Sequence, residues 1–456
     1  MKSIYRLVIT IAFAAGLAAC DNPQNPSGEV AAQVPAPAAA AVNYQGEERW
    51  WKGNTHAHSW WSDGDMPPEL VAKWYKDHGY QFLVHSDHNI MQLGEKWYNI
   101  DAPARPLEQV HMAYDEYRQV FGPEWIEERT VNGQREVKLK TLTEFSTLFE
   151  EAGRFIFIRG EEITDSFQRH PIHMNGVNLV DYVAPQGGSS ITNTIQNNID
   201  AVVRQSEEYR QPMLIHLNHP NFHYAQTPED FFELEHEPGD GFFEMYNGHS
   251  GVNNHGDELH VSTERMWDIV LSKRLGEFKR SLIYGVAVDD AHEYTVWGVG
   301  EINPGRGWIM VRSKWLTPNM ITAAIKRGDF YNSTGVTLSD LDITDTAINL
   351  SVEPKAGASY RIEFIGTLKS ADLTGREMPA PSHAHEDNME HLHRVLTTYS
   401  DDVGKVLKTV EGTSASYAVT GEEIYVRARV VSTTEHPNPF AAGDVEMAWT
   451  QPLVVQ

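Results

Sequence analysis

From Trp50 to about Thr334, short apolar runs alternate with segments of helical periodicity. This is the pattern of β/α units built around a largely parallel sheet. Strands are predicted at Tyr80 to Val84, Phe155 to Ile158, Met213 to Leu217, Phe242 to Tyr246, Leu282 to Val288 and Trp308 to Val311. One predicted helix opens with Asp65 as its cap, carries Pro67 and Pro68 in its first turn, and stops at Gly79. Leu70, Val71, Trp74 and Tyr75 share one face of it. Other helices are predicted over Glu108 to Val120, Thr143 to Glu151, Ile195 to Tyr209 and Thr263 to Lys273, and Thr317-Pro318 caps a last one that ends at Gly328. Beyond Gly335 the apolar period falls to two, at Ile348, Leu350 and Val352, then Tyr360, Ile362 and Phe364, then Ile424, Val426, Ala428 and Val430. These are half-buried antiparallel strands, and with turn signals between them they predict a small β-sandwich.

At the N-terminus, Lys2 and Arg6 precede an apolar stretch from Leu7 to Ala19, the layout of a secretory signal and too short for a membrane span. Leu17-Ala18-Ala19-Cys20 resembles a bacterial lipobox, which implies cleavage before Cys20 and lipid on its thiol. Residues 21 to 43 are rich in Pro, Ala, Gly, Asn and Gln and read as a tether. Asp21 resembles the signal that retains some bacterial lipoproteins on the inner membrane. The predicted organisation is therefore a lipoprotein signal peptide (1–19), a lipidated cysteine with a flexible linker (20–43), an α/β domain (44–335) and a β-sandwich (336–456). Cys20 is the only cysteine, so no internal disulfide is possible. The expected location is periplasmic or at the cell surface, with membrane contact only through the anchor at Cys20.

The chain holds 63 Asp plus Glu against 37 Lys plus Arg, a formal net charge of −26. Such an excess repels a phosphodiester backbone, which argues against a nucleic-acid partner. What remains is an acidic, soluble, globular protein.

His and carboxylate residues cluster just after the apolar runs. His56-Ala57-His58 follows Trp50 and Trp51, Asp87-His88 follows Phe82 to Val84, and Glu161-Glu162 follows Phe155 to Ile158. His219 follows Leu214 to Leu217, and Asp290 with His292 follows Leu282 to Val288. In a β/α barrel these positions converge on the C-terminal rim, where active sites form. Imidazole and carboxylate are the ligands of zinc, manganese and iron. A His-x-His pair on extended chain points both rings to one side, so both can reach one ion.

Asn54-Thr-His56-Ala-His58-Ser-Trp-Trp-Ser-Asp63-Gly, Leu-Val-His-Ser-Asp87-His88-Asn, Arg-Gly-Glu-Glu162-Ile-Thr, His173, His219-Pro220 and Val-Asp-Asp290-Ala-His292 occur in that order. Together they resemble the polymerase-and-histidinol-phosphatase (PHP) superfamily over residues 50 to about 335. The resemblance implies a distorted (β/α)7 barrel holding two or three divalent ions (Zn, Mn or Fe). It implies that one ion takes His56, His58, Glu162 and Asp290, and that a second shares Glu162 with His173 and His219. A third takes Asp63, His88 and His292; Asp63 stands where some members have histidine and others an acidic residue. Glu161 competes with Glu162 and Asp289 with Asp290, and the second of each pair fits the Gly-x-Glu and Asp-x-His spacings.

Water bridging two divalent cations becomes a nucleophile near neutral pH, and the cations bind phosphoester oxygens. The expected activity is metal-dependent hydrolysis of a small-molecule phosphoester, with amide or lactone hydrolysis, or a metal-stabilised binding lipoprotein, as alternatives. Arg169 joins Glu162 and Asp290 in the candidate catalytic set, and His85, His170 and Asp87 read as orienting or phosphate-binding neighbours. Trp60, Trp61, Trp97 and Tyr98 read as packing, Trp267-Asp268 and Tyr331 to Ser333 as structural closure, and Gly187 to Ser190 as a mobile rim loop. His383, His385, His391 and His393, among Glu386, Asp387 and Glu390, form a His-rich stretch read as a solvated insertion.

Overall fold

The computed structural model describes residues 47–378 and 396–455. Cys20, its tether and the His-rich stretch lie outside the described residues. In the first part of the chain the strands are β1 (Arg49–Asn54), β2 (Phe82–His85), β3 (Trp97–Asn99), β4 (Glu128–Val131), β5 (Gln134–Lys138) and β6 (Ile156–Phe167). They continue as β7 (His170–Val177), β8 (Leu214–Leu217), β9 (Phe242–Asn247), β10 (Tyr284–Val288), β11 (Trp308–Ser313) and β12 (Phe330–Ser333). Helices α1 (Pro68–Asp77), α2 (Leu107–Phe121), α3 (Leu142–Phe149), α4 (Ile191–Tyr209), α5 (Glu229–Phe232), α6 (Thr263–Leu271) and α7 (Pro318–Lys326) fall between them. The order is the alternation that the apolar runs predict.

Strand order along the main sheet begins β10-β9-β8-β7-β6-β2-β1-β11-β12. Pairs β1–β2, β2–β6, β8–β9 and β9–β10 are parallel. The two ends of the run β10 to β1 meet: Ala57 and Ala291 form a parallel bridge, His58 N donates to Ala291 O and Asp290 N to His56 O. Every strand of this run, and β11, sends apolar side chains into one cluster that includes Trp51, Phe82, Ile158, Val177, Leu214, Phe242, Val286 and Ile309. Higher up the same strands the same-face residue is polar. Because side chains alternate with period two, Ile156 and Ile158 share a face with Glu162, Leu214 with His216, Phe242 with Glu244, and Val177 with Asn175 and His173. The apolar floor and the polar rim are thus one set of strand faces read from bottom to top.

The sheet is less parallel than the sequence predicts, because β6, β7 and β8 pair antiparallel. β6 and β7 form a hairpin with Gln168 and Arg169 at its tip, and Gln168 has φ 55°. β7 escapes sequence reading because its residues alternate between core and site, so no apolar run marks it. The N-terminus of α1 also differs. Pro67 is its N-cap, without a side-chain hydrogen bond. Asp65 instead accepts from Tyr294 N, Thr295 N and Thr295 Oγ1, tying the chain before α1 to the segment after His292. α4 begins one turn early, capped by Ser190, which accepts from Asn193 N at 3.0 Å. This gives Ser190 of the predicted rim loop a capping role. Past Leu271, α6 continues as a π-helical segment, Ser272–Phe278.

The C-terminal strands are β13 (Leu338–Ile343), β14 (Ala347–Val352), β15 (Tyr360–Leu368), β16 (Arg376–Glu377), β17 (Thr397–Thr398), β18 (Lys405–Glu411), β19 (Ser414–Ala418), β20 (Glu423–Glu435), β21 (Val445–Thr450) and β22 (Leu453–Val454). The main sheet carries on through antiparallel pairing of β12 with β21 and then β20, β15 and β18, while β13-β14-β19 form a second sheet. Leu341, Ile348 and Leu350 of the second sheet and Ile362, Phe364, Val426 and Ala428 of the first share one buried cluster. Arg427 fixes this part against α6: its guanidinium holds both oxygens of buried Asp268, at 2.8 and 2.7 Å, and Glu264 at 2.8 Å. Trp267 beside it is fully buried, with its indole donating to Ile283 O.

Candidate metal centre

All nine candidate ligands gather at the polar end of the strand run. After β1 the chain bends at Thr55 and runs through His56 and His58, both fully buried, whose Nε2 atoms come within 3.1 Å of each other. Glu162 Oε2 lies 3.3 Å from His56 Nε2 and 3.1 Å from His58 Nε2. Asp290 Oδ1 lies 3.1 and 3.2 Å from the same two atoms.

What surrounds these four atoms shows what they can hold. His56 Nδ1 meets Glu244 Oε1 at 2.6 Å, and His58 Nδ1 meets Ser62 Oγ at 3.1 Å. The Ser62 hydroxyl donates to Asp87 Oδ1 at 2.6 Å, so its oxygen is left to accept from His58. In their neutral forms both rings therefore carry hydrogen on Nδ1 and a lone pair on Nε2. With the rings neutral, two imidazole lone pairs and two carboxylate oxygens converge, an arrangement that needs positive charge between them, from protons on Nε2 or from a metal ion. Tetrahedral zinc at about 2.0–2.1 Å from each donor spaces neighbouring donors about 3.3 Å apart. The donor set fits such an ion, with Glu244 and Ser62 orienting the imidazoles from behind.

The other Glu162 oxygen faces a second group. Oε1 lies 3.0 Å from His173 Nδ1 and 3.5 Å from His219 Nε2, and accepts from Asn218 Nδ2 at 2.9 Å. His173 Nδ1 is buried without a hydrogen-bond partner among the described residues. His219 sits at φ 24° and Asp290 at φ 50°, strained backbone for non-glycine residues and typical of functional positions.

A third group forms around Asp63 Oδ1, itself buried without a hydrogen-bond partner among the described residues. His292 Nε2 lies 3.3 Å from it, His58 Nδ1 3.5 Å and His88 Nε2 3.7 Å. The His292 Nδ1–H donates to Asp290 O at 2.9 Å, which leaves Nε2 with its lone pair toward Asp63. The turn from Ser59 to Gly64 is tight: a Cβ at Gly64 would lie 2.7 Å from Ser59 N. Asp87 clamps the same turn through Ser59 N, Ser59 Oγ and Ser62 Oγ.

Electrostatics agree with a cation site. Burial pushes the Glu162 carboxyl up, but His88, His56 and His173 outweigh it and hold Glu162 well below the usual carboxylate range. Asp290 is held low against burial by His56 and His58. In return, His56 and His58 are raised despite their burial, His58 to about 10, by the carboxylates around them. His88, for which burial dominates, is lowered to about 4. Without a metal ion the carboxylates draw protons onto imidazoles.

Adjacent acids face opposite ways. Glu161 points to the other face of β6, where it accepts from Val183 N at 2.6 Å, and burial raises it to about 8. Asp289 accepts from Tyr75 Oη, Arg306 N and Gly307 N at 3.0, 2.7 and 2.9 Å, and from Asn54 Nδ2. Arg169 is exposed at the tip of the β6–β7 hairpin, beyond the donors. His85 is buried between Phe145 and Phe157, and His170 Nδ1 donates to Ala225 O. Trp60 and Trp61 are core residues, with Trp60 stacked on Tyr98 at 4.7 Å. Tyr331 and Ser333 are buried and make local bonds with Leu338 N and Val336 O.

Sequence reasoning missed Glu244, His216, Asn218, Asn247 and His249. Glu244 had a signal, a lone acid inside the apolar run Phe242 to Tyr246. His249 follows that same run and obeys the rule that finds the other histidines.

No family model and no curated protein matches the chain. Among solved structures, it is similar to a two-domain protein from Bacteroides vulgatus that contains a predicted PHP-like metal-dependent phosphoesterase, with TM-score 0.35 and 11% identity, over 89% of this chain and 95% of that one. It is also similar to a proposed metal-dependent phosphoesterase from Bifidobacterium adolescentis, with TM-score 0.26 and 13% identity, over 56% of this chain and 91% of that one.

Proposed function

We propose that the chain is a metal-dependent phosphoesterase of the PHP type, acting on small-molecule phosphomonoesters or diesters. The observation that carries this reading is the Glu162 carboxylate, whose two oxygens face separate His-rich groups and so suit it to bridge two cations. His56, His58, Glu162 and Asp290 would hold one ion, Glu162, His173 and His219 a second, and Asp63, His88 and His292 a third. Bound divalent ions would supply a water of lowered pKa as nucleophile and neutralise charge on the phosphoester oxygens. The chain's own part is to keep Glu162 and Asp290 ionised, fix the imidazole tautomers through Glu244, Ser62 and the Asp290 carbonyl, and leave the Asp63 side open to solvent at 45% side-chain exposure. On this reading β1, β2 and β6 to β10 form a distorted seven-stranded barrel, supported by the Ala57–Ala291 bridge, and the two C-terminal sheets a β-sandwich.

The test is p-nitrophenol release from mono- and diester phosphates by protein loaded with manganese or zinc. Metal-stripped protein and Asp290→Ala are the controls. A metal-dependent rate that disappears in the variant supports the reading, and the better ester identifies the class. No rate above the controls contradicts it, and turnover of a carboxamide or lactone instead would reassign the bond.

The basic start of the chain, the apolar stretch Leu7 to Ala19 and the Leu-Ala-Ala-Cys20 sequence support a lipoprotein held at the periplasmic or cell-surface side of a membrane. Cys20→Ser should then move the protein from the membrane fraction to the soluble one; continued membrane association would contradict the anchor. No helix among the described residues is long and apolar enough to cross a membrane.

A further inference from the structure

For four histidines around the centre the tautomer follows from what Nδ1 meets. His56, His58 and His292 face acceptors there, respectively a carboxylate, a hydroxyl oxygen whose proton is engaged elsewhere, and a backbone carbonyl. His249 is the reverse. Its Nδ1 lies 2.8 Å from Gly251 N, and a peptide N–H can only donate. His249 Nδ1 therefore carries the lone pair and Nε2 the single hydrogen. In this state Nε2 cannot coordinate a metal ion, and protonating the ring would break the bond from Gly251. Among the described residues no hydrogen bond occupies Nε2.

Three features hold this ring beside the centre. Its centroid is 5.3 Å from that of His292, edge to face, and 5.8 Å from that of Phe222, which in turn lies 5.1 Å from His219. It thus packs against His292 of the third group and, through Phe222, lies one ring away from His219 of the second. Asn247 Oδ1 accepts from His249 N at 2.7 Å, while Asn247 Nδ2 donates to Asp290 Oδ2 at 3.0 Å and Glu244 Oε2 at 2.8 Å. One amide therefore positions both a metal ligand and the His249 backbone. A Cβ at Gly251 would lie 2.9 Å from His249 Cε1 and 3.0 Å from Nδ1, so the absence of a side chain permits the close approach.

We propose that His249 is a neutral hydrogen-bond donor whose Nε2–H binds the leaving-group oxygen of the substrate as that oxygen gains negative charge. The inference rests on the phosphoesterase reading. A neutral imidazole is far too weak an acid to surrender its proton, so the ester oxygen leaves stabilised by a hydrogen bond rather than by protonation from His249.

Two measurements test it. In long-range 1H–15N spectra of the metal-free protein, His249 should appear as the Nε2–H tautomer at pH 7; the Nδ1–H tautomer or an imidazolium would overturn the proposal. In the metal-loaded protein, His249→Ala should lower kcat about 10²- to 10³-fold with KM and bound metal unchanged. The loss should be larger for phenyl phosphate than for p-nitrophenyl phosphate, whose leaving oxygen needs less help. His249→Gln, which keeps an N–H donor, should recover part of the rate. An unchanged kcat, loss of metal, or an equal loss on both esters would overturn the donor role. Wild-type protein inactive on every phosphoester would instead bring down the reading on which the proposal rests.

Discussion

Asp289 and Asp290 are neighbours with separate tasks. Asp290 reaches the candidate ligand cluster from a left-handed backbone, whereas Asp289 is buried among hydroxyl, amide and backbone donors from β1, α1, Tyr80 before β2 and the loop before β11. On the proposed reading removing Asp290 takes away a ligand, whereas removing Asp289 leaves several buried donors without an acceptor. Asp290→Ala is therefore expected to lose turnover, with a smaller loss of urea midpoint than Asp289→Ala. Asp289→Ala should lose about 3 kcal/mol or more of stability. The two are separable by urea unfolding of the metal-free proteins beside activity of the loaded ones. A stable, active Asp289→Ala protein would contradict the assignment of the pair.

At the scale of elements, the sequence was readable where one face of a strand or helix is uniformly apolar. β2, β8, β9 and β10 lie within a few residues of their apolar runs, and α2, α3, α6 and α7 within a residue or two of their predicted ends. It was unreadable where an element serves the site. β7 carries His173 and Asn175 on one face, so its pattern resembles a loop. Asp65 looked like a helix cap because a carboxylate just before Pro67 is what a cap requires; its real partners are more than 200 residues away. For the site, strand-end position and motif spacing pointed to the nine ligand candidates. They did not point to Glu244 or Asn247, which act through another residue and carry no spacing rule.

The junction of α5 with the π-helical segment offers a test of pH dependence. Arg274 donates to Phe231 O and Leu234 O, and its Nη2 lies 2.8 Å from His236 Nε2, while His236 Nδ1 donates to Glu237 O. Burial first, and the Arg274 charge second, lower His236 from 6.5 to about 4. The unfolded chain then binds the proton more readily than the folded one. Stability from this group is present in full above pH 6.5 and falls as pH drops toward 4. His236→Gln should show a smaller fall in urea midpoint between pH 7.5 and pH 5 than the wild type. An identical fall would show that another group governs it.

Over the whole molecule, the apolar strand floor and the charged rim form one device. The floor packs the strands together, the ends of the run meet at Ala57 and Ala291, and the rim concentrates carboxylates whose demand for positive charge is met by protons or by metal ions. Burial opposes the charged form of His56 and His58, yet Asp290, Glu162 and their neighbours raise both, His58 to about 10. An ion bound there must displace those protons, so metal affinity should rise from pH 6 to pH 9. Titration calorimetry in buffers of different ionisation heat should register proton release on binding. Affinity that does not change with pH would mean the ion binds elsewhere.

Anomalous diffraction can show whether His56, His58, Glu162 and Asp290 enclose a metal ion. Crystals of zinc-loaded protein, measured above and below the zinc absorption edge, should show a peak enclosed by His56 Nε2, His58 Nε2, Glu162 Oε2 and Asp290 Oδ1, and crystals of the Asp290→Ala variant should lose it. A loaded wild-type crystal with no peak among these four atoms, or with zinc only at surface histidines, would contradict the account.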